Sequence, residues 1–114
     1  MHYHGSCHCG AVEYQLEGQL DAVVSCNCSI CSRKGYLLWF VPASALTFTK
    51  QGALSSYTFN SHKIKHQFCP VCGCAPFGLG ADPQGNQTVA VNVRCLTDVD
   101  VSALQVHHYN GKDA

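Results

Sequence analysis

At 114 residues, with seven basic and seven acidic side chains and a formal net charge of zero, the chain carries no basic footprint for nucleic acid or an anionic membrane surface. Only 12% of residues are charged and 46% are hydrophobic, an ordinary apolar share for one folded domain over residues 1–114. No apolar run reaches the roughly 18 residues of a membrane helix, and the opening MHYHGSCHCG lacks the basic-then-apolar order of a secretory signal, so a cytoplasmic location is expected.

The predicted elements are short. Alternating or β-branched runs bounded by Gly, Asn, Asp and Pro predict strands over residues 12–16, 22–25 and 36–41, then 54–59, 64–68, 88–93 and 104–108. Only one-turn helices fit between them, over 29–34, 43–46 and 101–104. Asn60-Ser61 ahead of His62-Lys63 has the composition of a hairpin turn, and Asp82-Pro83-Gln84-Gly85-Asn86 that of a loop. The expectation is a mainly β chain with its cysteines in the turns.

Nine cysteines cannot all pair internally, and in a reducing compartment clustered cysteines bind metal or do catalysis. Most of them fall in three clusters: Cys7-His8-Cys9-Gly10, Cys26-Asn27-Cys28-Ser29-Ile30-Cys31, and Cys69-Pro70-Val71-Cys72-Gly73-Cys74. Cys69 and Cys72 are the most specific signal, because two intervening residues let a tight turn aim both sulfurs at one tetrahedral ion. A redox pair of this spacing needs a following helix, which Gly73-Cys74-Ala75-Pro76 does not start. Cys7 and Cys9 are the natural partners, on the expectation that extended alternation turns both sulfurs to one face; the competing reading is two buried thiols acting as small apolar groups. Cys26, Cys28 and Cys31 remain as a trio, with Cys28 and Cys31 one helical turn apart. Three protein ligands and an open position mark a catalytic zinc, whereas Cys74 or Cys95 folding in would close the site into a structural one.

In this order, Gly5-x-Cys7-x-Cys9-Gly10, Cys26-x-Cys28-x-x-Cys31 and Phe68-Cys69-x-x-Cys72-Gly73, the sequence resembles the glutathione-dependent formaldehyde-activating enzymes across nearly its whole length. The resemblance implies an Mss4-like fold, a β-tent of twisted antiparallel sheets around zinc. It implies two zinc ions per chain, a structural one on Cys7, Cys9, Cys69 and Cys72 and a labile or catalytic one on Cys26, Cys28 and Cys31. The implied activity joins glutathione to formaldehyde as S-hydroxymethylglutathione, and in reverse is a carbon–sulfur lyase. Cys74 and Cys95 fall outside the motif.

Around the trio, Arg33 and Lys34 are candidates to bind the carboxylates of a peptide thiol, against a reading as a solvated turn. Candidate proton donors are His8, His62 and His66. Trp39 and Phe40 are expected in the core rather than against substrate. Glu13, Glu17, Asp98 and Asp100 suggest no catalytic carboxylate pair. Two other functions compete. One is a non-catalytic, zinc-stabilised protein-binding module of Mss4-like fold. The other is a relative of the methionine sulfoxide reductases, echoed by Arg94-Cys95 but with zinc knuckles of a different spacing.

Overall fold

The computed structural model describes residues 2–59 and 63–113. In chain order its strands are β1 (His2–Ser6), β2 (Val12–Glu17), β3 (Ala22–Cys26), β4 (Leu38–Pro42) and β5 (Leu46–Gln51). They are followed by β6 (Ser55–Tyr57), β7 (Lys65–Phe68), β8 (Phe77–Ala81), β9 (Gln87–Asn92) and β10 (Gln105–Tyr109). A single-turn helix, α1 (Ser29–Lys34), lies between β3 and β4. No helix among the described residues is long and apolar enough to cross a membrane.

Two sheets result. The smaller has the order β1-β2-β5, and the larger runs β10-β3-β4-β9-β8-β7-β6. In β2 the alternation is direct, with Val12, Tyr14 and Leu16 buried and Glu13 and Glu17 exposed. These inward side chains meet Trp39 and Val41 of β4, Val89 and Val91 of β9, and Phe77 of β8 in one apolar core. The Tyr14 and Phe77 rings pack edge to face at 5.4 Å, a favoured aromatic geometry.

The fold is the mainly β architecture expected, with departures in detail. β1, β5 and β8 were not expected from the sequence. His2–Ser6 is mostly polar or small, Phe77–Ala81 is glycine-rich, neither has a β-branched residue, and Leu46–Gln51 offers only two apolar positions. Pairing through the sheet hydrogen bonds, rather than intrinsic preference, makes them strands. The sheets are not wholly antiparallel either. β10 pairs with β3 in parallel and sets Tyr109 opposite Cys26. The expected strand over 36–41 starts later, because α1 ends on Gly35 in a left-handed cap at φ 71°. The loop at Asp82 forms as expected, its carboxylate accepting from the Gln84 and Asn86 N–H groups at 3.0 and 2.8 Å. The expected hairpin turn at Asn60-Ser61, with His62, lies outside the described residues.

Gly5 sits under the Tyr14 ring, and a Cβ there would overlap the ring atoms. Gly5→Ala is therefore expected to cost about 1–3 kcal/mol by overpacking, lowering the melting temperature by several degrees or more. An unchanged Tm in a thermal scan would contradict the close Gly5–Tyr14 contact.

Candidate functional site

Two similar turns carry the first four sulfurs. Cys7 to Gly10 links β1 to β2 and closes by the Gly10 N–H donating to the Cys7 carbonyl at 3.2 Å. Cys69 to Gly73 follows β7 and closes by Gly73 N–H to the Cys69 carbonyl at 2.8 Å. Gly10 and Gly73 both adopt φ 79°, a left-handed conformation open to glycine. Cys7 and Cys9 thus meet through a turn, and the extended alternation expected for them is corrected.

The Sγ atoms of Cys7, Cys9, Cys69 and Cys72 lie within 4.8 Å of one another. Cys9 Sγ is 3.6 Å from the sulfurs of both Cys7 and Cys69. A tetrahedron with metal–sulfur bonds of about 2.3 Å has edges of about 3.8 Å, so this set has the dimensions of a metal site. Its protons are unevenly held. The Cys74 N–H, followed by other donors, holds Cys72 down at about 5. At Cys9 the Ala11 N–H lowers the pKa, but the neighbouring sulfurs of Cys69 and Cys7 outweigh it and push the thiol up to about 11. Like charges so close oppose one another's ionisation, and a central cation is what lets them coexist.

The trio is built differently. Cys26 ends β3, Cys28 precedes α1 at φ −63° and ψ 170°, and Cys31 lies within the helix. Their three sulfurs also lie within 4.8 Å of one another. The Cys28 N–H donates to Cys26 Sγ at 3.4 Å. Burial, with the nearby Cys28 sulfur, pushes Cys31 up. At Cys28 burial works upward, but the Cys31 N–H and the adjacent thiols win and lower it. Neither Cys74 nor Cys95 belongs to either sulfur set. Cys95 instead lies 3.8 Å from the Ala75 carbonyl and 3.9 Å from Asn92 Nδ2.

Two hollows adjoin the trio. The inner one, about 250 Å³, is lined by all three cysteines together with Leu38 and Phe40. The outer one, about 600 Å³, is lined by Arg33, Lys34 and Tyr57. Tyr36, Phe59 and His66 are common to both. Arg33 donates to the Ser29 carbonyl at 2.8 Å, and the Lys34 ammonium stands 6.0 Å from the centre of the Phe68 ring. His66 stacks on Phe59 at 5.4 Å, and burial, then the Lys34 charge, holds its pKa below the usual histidine range.

Of the expected proton donors among the described residues, His66 alone lines the hollow that holds the trio. His8 is exposed on the Cys7–Gly10 turn, and His62 lies outside the described residues. Trp39 is in the core, as expected, but Phe40 is a correction: it is 54% exposed and lines the inner hollow. Neighbouring strand residues point to opposite faces, and only one of these faces is the core. Among the described residues no carboxylate lines either hollow. Glu13 and Glu17 are exposed, Asp98 faces His4 at 3.3 Å, and Asp100 caps a turn by accepting from the Ser102 N–H.

Sequence reasoning missed the segment after β10. The Asn27 N–H donates to the Tyr109 carbonyl at 3.2 Å, and the Asn27 side chain bonds Asn110 and the Lys112 N–H. A Cβ on Gly111 would overlap Cys26 Sγ. Asn110-Gly111 carried a turn signal, but nothing local said that the turn would close over the trio.

A family model described as glutathione-dependent formaldehyde-activating enzyme matches residues 2–112. The crystal structure of a Rhodobacter sphaeroides protein is also similar, at 30% sequence identity and a TM-score of 0.76. That match covers 91% of this chain and 99% of the other.

The sulfur sets generate a paired expectation. Chain purified without chelator should carry two equivalents of divalent metal, and mild chelation should remove one first. Cys72→Ser should prevent folding, since a structural metal contributes on the order of 10 kcal/mol of apparent binding energy. Cys28→Ser should fold and lose one equivalent. Circular dichroism with metal analysis checks both, and a well-folded, soluble Cys72→Ser protein would contradict the structural role of the first set.

Proposed function

Since this chain belongs to the glutathione-dependent formaldehyde-activating enzyme family, we propose that it adds a small peptide thiol of the glutathione type to formaldehyde or a related aldehyde, or runs that reaction in reverse. Cys26, Cys28 and Cys31 would hold the working zinc, and Cys7, Cys9, Cys69 and Cys72 a structural one. Sulfur-rich tetrahedral sets suit zinc. One observation carries the reading: three convergent sulfurs, with no fourth ligand among the described residues, open onto a hollow whose outer rim is basic. A protein-binding module would need no such opening.

Zinc supplies one thing when bound, a thiol ionised at neutral pH. The chain's own residues do the rest. Arg33 and Lys34 take the carboxylates of the thiol's peptide body and offset the negative charge of the sulfur-rich site. The apolar wall of the inner hollow excludes water from the reacting carbon. The sulfur attacks the carbonyl carbon, a carbon–sulfur bond forms, and the π pair moves to oxygen, which takes a proton. His66 lines the same hollow as the trio and would hold the thiol's released proton, its lowered pKa keeping the ring neutral and able to accept.

Cobalt in place of zinc tests this reading. Glutathione should intensify the sulfur-to-metal charge-transfer band and shift the ligand-field bands, and Cys28→Ser should abolish that response. The double variant Arg33→Gln/Lys34→Gln should weaken the response by roughly tenfold in glutathione concentration, a modest loss for partly exposed charges. A silent spectrum with wild-type protein would defeat the proposal.

A further inference from the structure

The inner hollow is far larger than formaldehyde requires. It holds about 250 Å³, whereas a water molecule's share of liquid volume is about 30 Å³ and an apolar cavity of about 150 Å³ takes a benzene ring. Its origin lies in the sheet face turned away from the core. There Phe40, Ala90, Gly78 and His66 are successive cross-strand partners on β4, β9, β8 and β7. The two middle positions carry almost no side chain, so a trough opens between Phe40 and His66. Ile64 roofs its far side, lying 3.5 Å from where a Cβ on Gly78 would stand. The trough's inner end is the cysteine trio.

The mouth is apolar as well. Among the described residues the exposed large hydrophobic side chains are Phe40, Tyr57, Ile64, Val71 and Tyr109. Phe40, Ile64 and Tyr109 line the inner hollow and Tyr57 the outer one, leaving Val71 alone elsewhere. Exposed apolar groups gathered at one opening mark a site for an apolar ligand. Among the described residues no Asp, Glu, Lys or Arg lines the inner hollow, while Arg33 and Lys34 line the outer.

From this division we infer that the inner hollow is a specificity pocket for the carbonyl partner, and that the preferred aldehyde bears an apolar group of about six carbons, alkyl or aryl. The inference rests on the proposed thiol addition and names its second substrate. The aldehyde's chain lies in the trough, its carbonyl carbon faces the sulfur at the trio, and the thiol's charged body remains in the outer hollow. The step stays balanced. One carbon–sulfur bond forms, the carbonyl π bond breaks, and the proton released by the thiol ends on the new hydroxyl.

Stable thioether analogues of the product separate this pocket from the thiol site. Titration calorimetry of the zinc-loaded protein would compare S-hexylglutathione with S-methylglutathione. Full burial of a methylene is worth roughly fourfold in affinity, so the hexyl analogue should bind at least about tenfold tighter. Ala90→Leu, which fills the trough, should remove most of that preference. Gly78→Ala, whose added Cβ meets only ordinary contacts, is the gentler second variant and should reduce it. A preference below tenfold, or one untouched in both folded variants, overturns the pocket. A separate NMR titration with 1-hexanol should shift the Ile64 and Ala90 resonances. Shifts with hexanol but no binding of either glutathione analogue would keep the pocket and sink the thiol reading. Equal binding of both analogues with no hexanol shift would sink the pocket and keep the thiol reading.

Discussion

The architecture turns on bringing four sulfurs to one point from turns 60 residues apart along the chain. The Cys7–Gly10 turn belongs to the three-stranded sheet, and the Cys69–Gly73 turn to the seven-stranded one. Where the turns meet, the sheets are held at one end, and Cys7 and Cys69 are buried within the core that the sheets share. A chain of this size has limited apolar surface to bury. A metal held by this tetrad would close a long loop and so compensate by constraining the unfolded chain more than a local contact would. Gly10 and Gly73 let both turns close, and Gly5 lets Tyr14 reach the core beside them.

On that frame the second sulfur set has a different setting. It stands where β3 ends and α1 begins, with the segment after β10 laid across it through Asn27. The parallel pairing of β10 with β3 delivers that segment to the trio. The same α1 that carries Cys31 ends in Arg33 and Lys34, so one helical turn sets both the metal-capable sulfur and the basic rim of the outer hollow. The sheet contributes the rest by leaving glycine and alanine in the middle of its outer face.

The cysteine pattern was legible because ligand spacing is local. Two residues between Cys69 and Cys72, or between Cys28 and Cys31, fix what a turn can do whatever surrounds it. The glycines after Cys9 and Cys72 were legible for the same reason. What the sequence did not show was mostly relational. β8 reads as Phe-Gly-Leu-Gly-Ala, a poor strand until β7 and β9 flank it, and Gly78 makes sense only as the floor of the trough. Phe40 and Trp39 look alike in sequence, yet the sheet sends one to the inner hollow and the other to the core. Whether Cys74 or Cys95 reached the trio was open from spacing alone, and backbone placement leaves both sulfurs outside it.

The most direct test of an open three-sulfur centre beside a closed four-sulfur one is ¹¹³Cd NMR of the cadmium-loaded protein, recorded with and without glutathione. The account predicts two resonances, one in the four-sulfur region that does not move and one upfield of it that shifts toward that region as the thiol is added. Two resonances already in the four-sulfur region before any thiol, both unmoved by glutathione, would contradict it.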